Sequence, residues 1–198
     1  MLSPKPSFVS VTEYCNHLAK FVTETQISDH TGNSLELESA ISAVVVALEH
    51  ARRNQSKAMV IGNGGSAAIA AHMQSDLAKS VKLRALTFFD LSFYTAIAND
   101  RGVESVFEEP LRLFAEPGDI LFAISSSGRS ENILRAVRQA RIKHCRIFTL
   151  SGFGGENPLR QMGDINFYIP VEHYGMVELA HQVLVHCITD LATCPAEE

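Results

Sequence analysis

Four serines surround one glycine at residues 125–130, where the sequence reads Ser125-Ser126-Ser127-Gly128-Arg129-Ser130. An apolar run, residues 119–124, precedes them, and an amphipathic segment, residues 131–141, follows. This order predicts a strand, a tight turn and the first turn of a helix. The first backbone N–H groups of a helix lack intrahelical partners and lie at the positive end of its dipole, so such a turn can bind a phosphate. The alternative is that Ser130 only caps the helix.

A second turn of this kind is Gly62-Asn63-Gly64-Gly65-Ser66, which leads from an apolar run into an alanine-rich segment. Glycines there allow a tight turn and a close approach of the backbone to a ligand. The spacing is not Gly-x-Gly-x-x-Gly, and no Gly-Lys-Ser/Thr follows as in a P-loop, so we expect no nucleotide cofactor. Two such turns in one sheet can converge on a single phosphate.

Acid–base side chains stand on two predicted helices. His72 and Asp76 are four residues apart and share one face of the helix that follows Ser66. Glu178, His181 and His186 lie within a broad common sector of the last helix, since eight residues are a little over two turns. Carboxylates and imidazoles can transfer protons as general bases and acids, and both are also zinc ligands. The alternative is a hydrogen-bonded polar cluster that binds no metal.

The elements that position these groups form an alternating pattern of short apolar runs and helical segments from residue 57 onward. This pattern predicts an α/β fold with a five-stranded parallel sheet covered on both faces by helices. Ligands bind such sheets beyond the carboxyl ends of the strands. The predicted strands are 58–61, 85–89, 120–124, 146–150 and 165–169. The predicted helices are 10–26, 34–54, 66–79, 92–99, 103–114, 130–143, 158–162 and 176–192.

The domain organisation follows from the same reading. Two prolines predict a loose arm over the first ten residues, and a polar link is expected at residues 28–33. We therefore divide the chain into an N-terminal arm and helix, residues 1–33, and one globular domain, residues 34–194.

Composition excludes several classes of function. The 198-residue chain has a net charge of −5 and is 46% hydrophobic, without a run long enough to span a membrane, so we expect no binding to nucleic acid or membrane. Its four cysteines lack Cys-x-x-Cys spacing, which predicts reduced thiols. The first residues lack a secretory pattern, so we expect a cytoplasmic protein.

Three segments together resemble the SIS (sugar isomerase) domain family, and among its members the phosphoheptose isomerases. They are residues 62–66, residues 124–130 and Thr95-Ala-Ile-Ala-Asn-Asp100. The resemblance implies a flavodoxin-like three-layer α-β-α sandwich and a homotetramer with active sites at subunit boundaries. It also implies conversion of sedoheptulose 7-phosphate into D-glycero-D-manno-heptose 7-phosphate through an enediol, a step that serves heptose synthesis for lipopolysaccharide.

The resemblance also assigns roles to single residues. Asp76 matches the catalytic base and His186 the acid. Asn63, Gly64 and Asp100 match positions that hold sugar hydroxyls, and Glu178 matches a substrate-binding position. The positions that match phosphate-binding residues are Ser66, Ser125, Ser126, Ser127 and Ser130. The positions that match a zinc site are His72, Asp76, Glu178 and His186.

The sequence departs from the family pattern at the reactive centre. Asp76 stands where glutamate is usual, and Glu178 replaces a glutamine. An arginine common after Asp76 is missing, and Lys79, Lys82 or Arg84 are its candidate replacements. Two other functions stay open: a non-catalytic regulator of this family that binds a protein partner such as a replication initiator, and an isomerase of another phosphosugar. Retention of both Asp76 and His186 favours the enzyme over the regulator.

Overall fold

The computed structural model describes residue 8 and residues 10–193, and its centre is a seven-stranded sheet with the order β2-β1-β7-β6-β5-β3-β4. The five strands from β3 to β7 are parallel to one another, whereas β1 is antiparallel to both β2 and β7. The strands are β1 Gln26–Asp29, β2 Ser34–Leu35, β3 Lys57–Gly62, β4 Arg84–Leu86, β5 Ile120–Ser125, β6 Arg146–Gly152 and β7 Ile165–Ile169.

Helices cover both faces of this sheet. Successive residues of β3 point to opposite faces: Ala58 and Val60 belong to one buried apolar cluster, and Met59 and Ile61 to another. Helices α1, α2, α3 and α7 pack in the first cluster, and α4, α5 and α6 in the second. The helices are α1 Val11–Thr23, α2 Leu37–Arg53, α3 Gly65–Lys79, α4 Leu91–Arg101, α5 Glu108–Phe114, α6 Glu131–Ile142 and α7 Tyr174–Leu191, with 3₁₀ turns at Val103–Ser105 and Pro158–Gln161.

The prediction of a five-stranded, wholly parallel sheet was wrong, because the predicted polar link is a β-hairpin that extends the sheet. Asp29 shapes its turn by accepting hydrogen bonds from Thr31 and Asn33, which lower the pKa of its carboxyl to about 2. β1 then pairs with β7. The two strands have only four and two residues, too few for a visible alternation of apolar and polar positions. Ser34 and Leu35, predicted as the start of a helix, form β2.

Some sequence predictions fall outside the part of the chain that the structure describes. The predicted arm lies largely there, as does Cys194. Cys15, Cys145 and Cys187 are free thiols, and burial raises the pKa of Cys145 to about 12. Within the described ranges, no helix is both long and apolar enough to cross a membrane. The division at residue 33 stays a prediction.

Candidate active site

The serine turn at residues 125–130 connects the end of β5 to α6. Its backbone closes through a hydrogen bond from the Gly128 N–H to the Ser125 carbonyl at 3.0 Å, and Gly128 adopts φ +61°. A Cβ at Gly128 would overlap the side chain of Asn157, so glycine is needed here for both conformation and space. Ser130 stands at the N-terminus of α6 but forms no capping hydrogen bond through its side chain. Its hydroxyl is therefore not committed to the helix, contrary to the capping alternative.

The glycine turn at residues 62–66 lies beside it, because β3 and β5 are neighbours and Gly62 pairs with Ile124. Gly64 has φ 54° and ψ −124°, a conformation that essentially requires glycine, and α3 begins at Gly65. The two turns are tied together by a reciprocal amide pair: Asn63 and Asn132 each donate to the other's side-chain oxygen at 2.9 Å. The sequence did not point to Asn132, because its contact with Asn63 depends on the pairing of β3 with β5.

The two turns enclose a cavity of about 240 Å³. The Ser126 hydroxyl is buried and has no hydrogen-bond partner among the described residues, which is unusual for a buried polar group. Tyr174, at the start of α7, also lines the cavity and was not anticipated. The lining residues are Asn63, Gly64, Gly65, Ser66, Ser125, Ser126, Ser127, Ser130, Tyr174 and Glu178.

An acid–base cluster lies where α3 and α7 pack together. The carboxylate Oδ2 of Asp76 lies 3.3 Å from His72 Nε2 and 3.7 Å from His186 Nδ1. The two imidazole rings are 4.9 Å apart between centroids. One ligand atom from each of the three residues lies within 4.8 Å of the others, so His72, Asp76 and His186 can hold a metal ion.

Glu178 and Asp100 take other positions. Glu178 lies outside the three-residue cluster and lines the cavity, with its carboxylate packed against Gly65. Eight residues separate it from His186, which is about 12 Å along α7. Asp100 is exposed near the end of α4, accepts a hydrogen bond from Asn99 and is not among the lining residues.

His181 lies between these groups on α7 and is completely buried. It contacts the Ser151 carbonyl through Nε2 at 3.2 Å, and its Nδ1 has no partner among the described residues. Burial lowers its pKa to about 4, so the ring is neutral at neutral pH. It therefore packs α7 onto β6 as an uncharged group.

The missing arginine has no replacement from Lys82 or Arg84 within the same chain. Both residues line a different cavity, and Arg84 pairs with Lys57 where β3 and β4 begin. The serine and glycine turns lie at the opposite ends of the strands.

The profile of the SIS domain matches residues 24–152, about two thirds of the chain. The chain belongs to the SIS domain family. This SIS domain is 36% identical over 163 residues to the phosphoheptose isomerase of Geotalea daltonii, covering 79% of this chain and 84% of the relative. It is 33% identical over 167 residues to that of Aromatoleum aromaticum, covering 80% and 84%.

Solved structures agree with these sequence matches. The SIS domain superposes on phosphoheptose isomerase GmhA from Neisseria gonorrhoeae with a TM-score of 0.78 and 27% identity. The superposition covers 92% of this chain and 97% of the other.

Proposed function

We propose that this SIS domain protein is an isomerase that interconverts sedoheptulose 7-phosphate and D-glycero-D-manno-heptose 7-phosphate. The observation that carries the proposal is the pairing of a serine-lined cavity with the Asp76–His186 contact in one α/β chain. The relatives support the same reaction, because both bear the name phosphoheptose isomerase and the similarity covers 84% of each of them.

The serine and glycine turns hold the phosphate. Their backbone N–H groups at the starts of α3 and α6, together with the hydroxyls of Ser66 and Ser125–Ser127, supply neutral donors to a doubly charged anion. The phosphate would give the Ser126 hydroxyl the hydrogen-bond partner that it lacks among the described residues. Asn63 is fixed by Asn132 and can present its remaining donor capacity to a sugar hydroxyl.

Asp76 and His186 perform the proton transfers. Asp76 takes a proton from C1 of the ketose while His186 protonates the C2 carbonyl oxygen, which gives an enediol. Asp76 then returns its proton to C2 while His186, which has given up its own proton, takes the proton of the C1 hydroxyl, which gives the aldose. The 3.7 Å between the two side chains lets them act on adjacent carbon and oxygen atoms.

We propose that His72, Asp76 and His186 hold zinc. Two imidazoles and one carboxylate, with ligand atoms within 4.8 Å of one another, form a donor set that suits this ion. When bound, zinc would supply Lewis acidity beside the reacting oxygen atoms. Glu178 adds a negative charge on the same helix and, in its position against Gly65, faces the cavity instead.

We also propose a cytoplasmic homotetramer with active sites at subunit boundaries. Ten residues separate Ser66 from Asp76, which is about 15 Å along α3. An extended heptose phosphate spans roughly 10 Å from phosphorus to C1, taking about 1.2 Å of advance per bond. On these lengths a substrate anchored at Ser66 of one chain falls short of the Asp76–His186 pair of that chain, which favours a pair supplied by a neighbouring copy. Such a copy would also cover exposed apolar side chains, including Val46 and Tyr174.

A direct assay tests the reaction. Purified protein with added zinc, and the same protein after a chelator, is incubated with sedoheptulose 7-phosphate and with a panel of other ketose and aldose phosphates. We expect turnover of the heptose phosphate, and His186→Ala should abolish it while phosphate affinity is largely retained. Turnover of a different sugar only would assign another substrate. Binding without any turnover would contradict catalysis and support the regulator.

A further inference from the structure

A second cavity, of about 210 Å³, lies at the other end of the sheet from the serine turns. The start of β4 forms one side, and the end of α2 with the link to β3 forms the other. Since β3 runs from Lys57 to Gly62, the two cavities are separated by about 16 Å of strand. The lining residues are Arg52, Gln55, Ser56, Lys82, Leu83 and Arg84.

The charge of this cavity is entirely positive. Arg52, Lys82 and Arg84 line it, and none of the described lining residues is acidic. In the part of the chain that the structure describes, none of these three cations forms an ion pair, although the whole chain carries a net charge of −5. Hydrogen bonding to Lys57 lowers the pKa of the Glu116 carboxyl, with a smaller contribution from Arg84. Glu116 forms its ion pair with Lys57 at 2.8 Å, and no carboxylate of the described residues lies within ion-pair distance of Arg84.

Arg52 gives a second, independent observation. Its Nε is buried and has no hydrogen-bond partner among the described residues. A buried, charged donor without an acceptor is unusual, because a lost hydrogen bond inside a protein is not replaced by water. Arg52 as a whole is only half-buried and lines the cavity, so part of its side chain is accessible to an anion there.

The wall of the cavity is held by backbone hydrogen bonds. The N–H of Ser56 donates to the Ala51 carbonyl at 2.9 Å and that of Gln55 to the Arg52 carbonyl at 3.2 Å, which together form a Schellman motif at the end of α2. On the other side the Leu83 N–H donates to the Leu77 carbonyl at 2.9 Å. The cationic side chains therefore extend from fixed backbone.

We propose that this cavity is a second anion site, which binds inorganic phosphate or the phosphoryl group of a small metabolite independently of the serine turns. Guanidinium groups pair with phosphate oxygens in a bidentate manner, and Lys82 adds a third positive charge. Ser56 and Gln55 offer neutral donors beside them. The volume suits a small anion and is below that of sites for larger ligands.

The site can be tested by equilibrium dialysis of the full chain against radiolabelled inorganic phosphate. Ser127→Asp places a carboxylate in the serine turn and should remove binding there. In this variant we expect one phosphate per chain to remain bound. Adding Lys82→Gln and Arg84→Gln should weaken that remaining binding at least tenfold. Arg53→Gln is the matched control, since Arg53 is an exposed cation of the same helix end that does not line the cavity.

Several results would overturn the proposal. Ser127→Asp protein that binds no phosphate would do so, as would unchanged binding after the two glutamine substitutions in protein with an intact circular dichroism spectrum. If the double variant fails to fold, Arg84→Gln alone gives the same comparison. A changed oligomer size with unchanged phosphate binding would assign these cations to a subunit contact instead. Repeating the dialysis with ribose 5-phosphate separates the two sources: tighter binding of the ester indicates a phosphorylated metabolite, and binding of inorganic phosphate alone indicates the free ion.

Discussion

Asp76 of α3 and His186 of α7 lie 3.7 Å apart, from carboxylate Oδ2 to imidazole Nδ1. The contact joins two helices that are far apart in sequence but packed side by side on one face of the sheet. The proposed acid and base therefore occupy rigid elements, whereas the phosphate-binding groups stand on turns.

Replacing Asp76 by asparagine tests this division of roles. The amide keeps the shape of the side chain but cannot accept a proton, so we expect kcat to fall on the order of 10²- to 10⁴-fold. KM should change little. Steady-state kinetics of Asp76→Asn measure both values. Asp190→Asn is the control, because Asp190 is an exposed carboxylate of α7. Equal losses in kcat and phosphate affinity would contradict the separation.

Ser126→Ala should affect substrate binding rather than stability. The hydroxyl has no partner among the described residues, so its removal costs no internal hydrogen bond. A hydrogen bond to a charged group contributes about 1.5–3 kcal/mol, so KM should rise roughly ten- to hundredfold. Ser151→Ala is the matched control, since its buried hydroxyl also lacks a described partner but does not line the cavity. A similar KM for both variants would remove Ser126 from the phosphate site.

Gly64→Ala should destabilise the fold and weaken phosphate binding together. An L-residue at φ 54° and ψ −124° is strained by on the order of 1–3 kcal/mol. Urea unfolding and phosphate dialysis measure the two effects. Gly154→Ala provides the control, because a Cβ meets nothing within 4 Å at either position but only Gly64 has a positive φ. An unchanged unfolding midpoint for Gly64→Ala would show that the turn adapts to a side chain.

Zinc should stabilise the protein through His72, Asp76 and His186. We expect added zinc to raise the unfolding temperature of the metal-free protein and a chelator to reverse the increase. His72→Ala should lower zinc affinity roughly hundredfold or more, because removal of a ligand costs more affinity than removal of a residue that only hydrogen-bonds to a ligand. Competition with a zinc indicator measures this affinity, and exposed His30→Ala is the control. Equal affinities in the two variants would exclude His72 as a ligand.

The buried His181 should make stability depend on pH. Its pKa is about 4 in the folded chain and 6.5 in the unfolded chain, so between these values only the unfolded chain binds the proton. The contribution of His181 to the free energy of unfolding is therefore fully present above pH 6.5. It decreases by about 3 kcal/mol as the pH falls towards 4. Urea unfolding measured from pH 7 to 4.5 gives the free energy of unfolding as a function of pH. We expect this free energy to fall less steeply with decreasing pH for His181→Gln than for the unchanged chain. Parallel slopes would mean that His181 is protonated in the folded protein.

Much of the site could be predicted because the sequence carries it in local patterns. The five parallel strands were visible as apolar runs, and the turns after β3 and β5 were visible from glycines and serines. The cluster of His72 and Asp76 followed from helical spacing. Tyr174, Asn132 and the position of Glu178 could not be predicted, since each depends on how separate elements pack. For Asp100 the family motif predicted a contact with sugar hydroxyls, whereas the fold leaves this residue exposed on α4 and outside the cavity lining.

The hairpin at one end of the sheet has a consequence for how copies of this chain can meet. The two outermost strands are β2, with two residues, and β4, with three. Strands this short present few unpaired backbone groups, so the sheet offers almost nothing for edge-to-edge growth into fibres or for continuation into a neighbouring subunit. The proposed association between copies would then rely on side chains of the helical faces, which a few polar substitutions can tune without disturbing the strands.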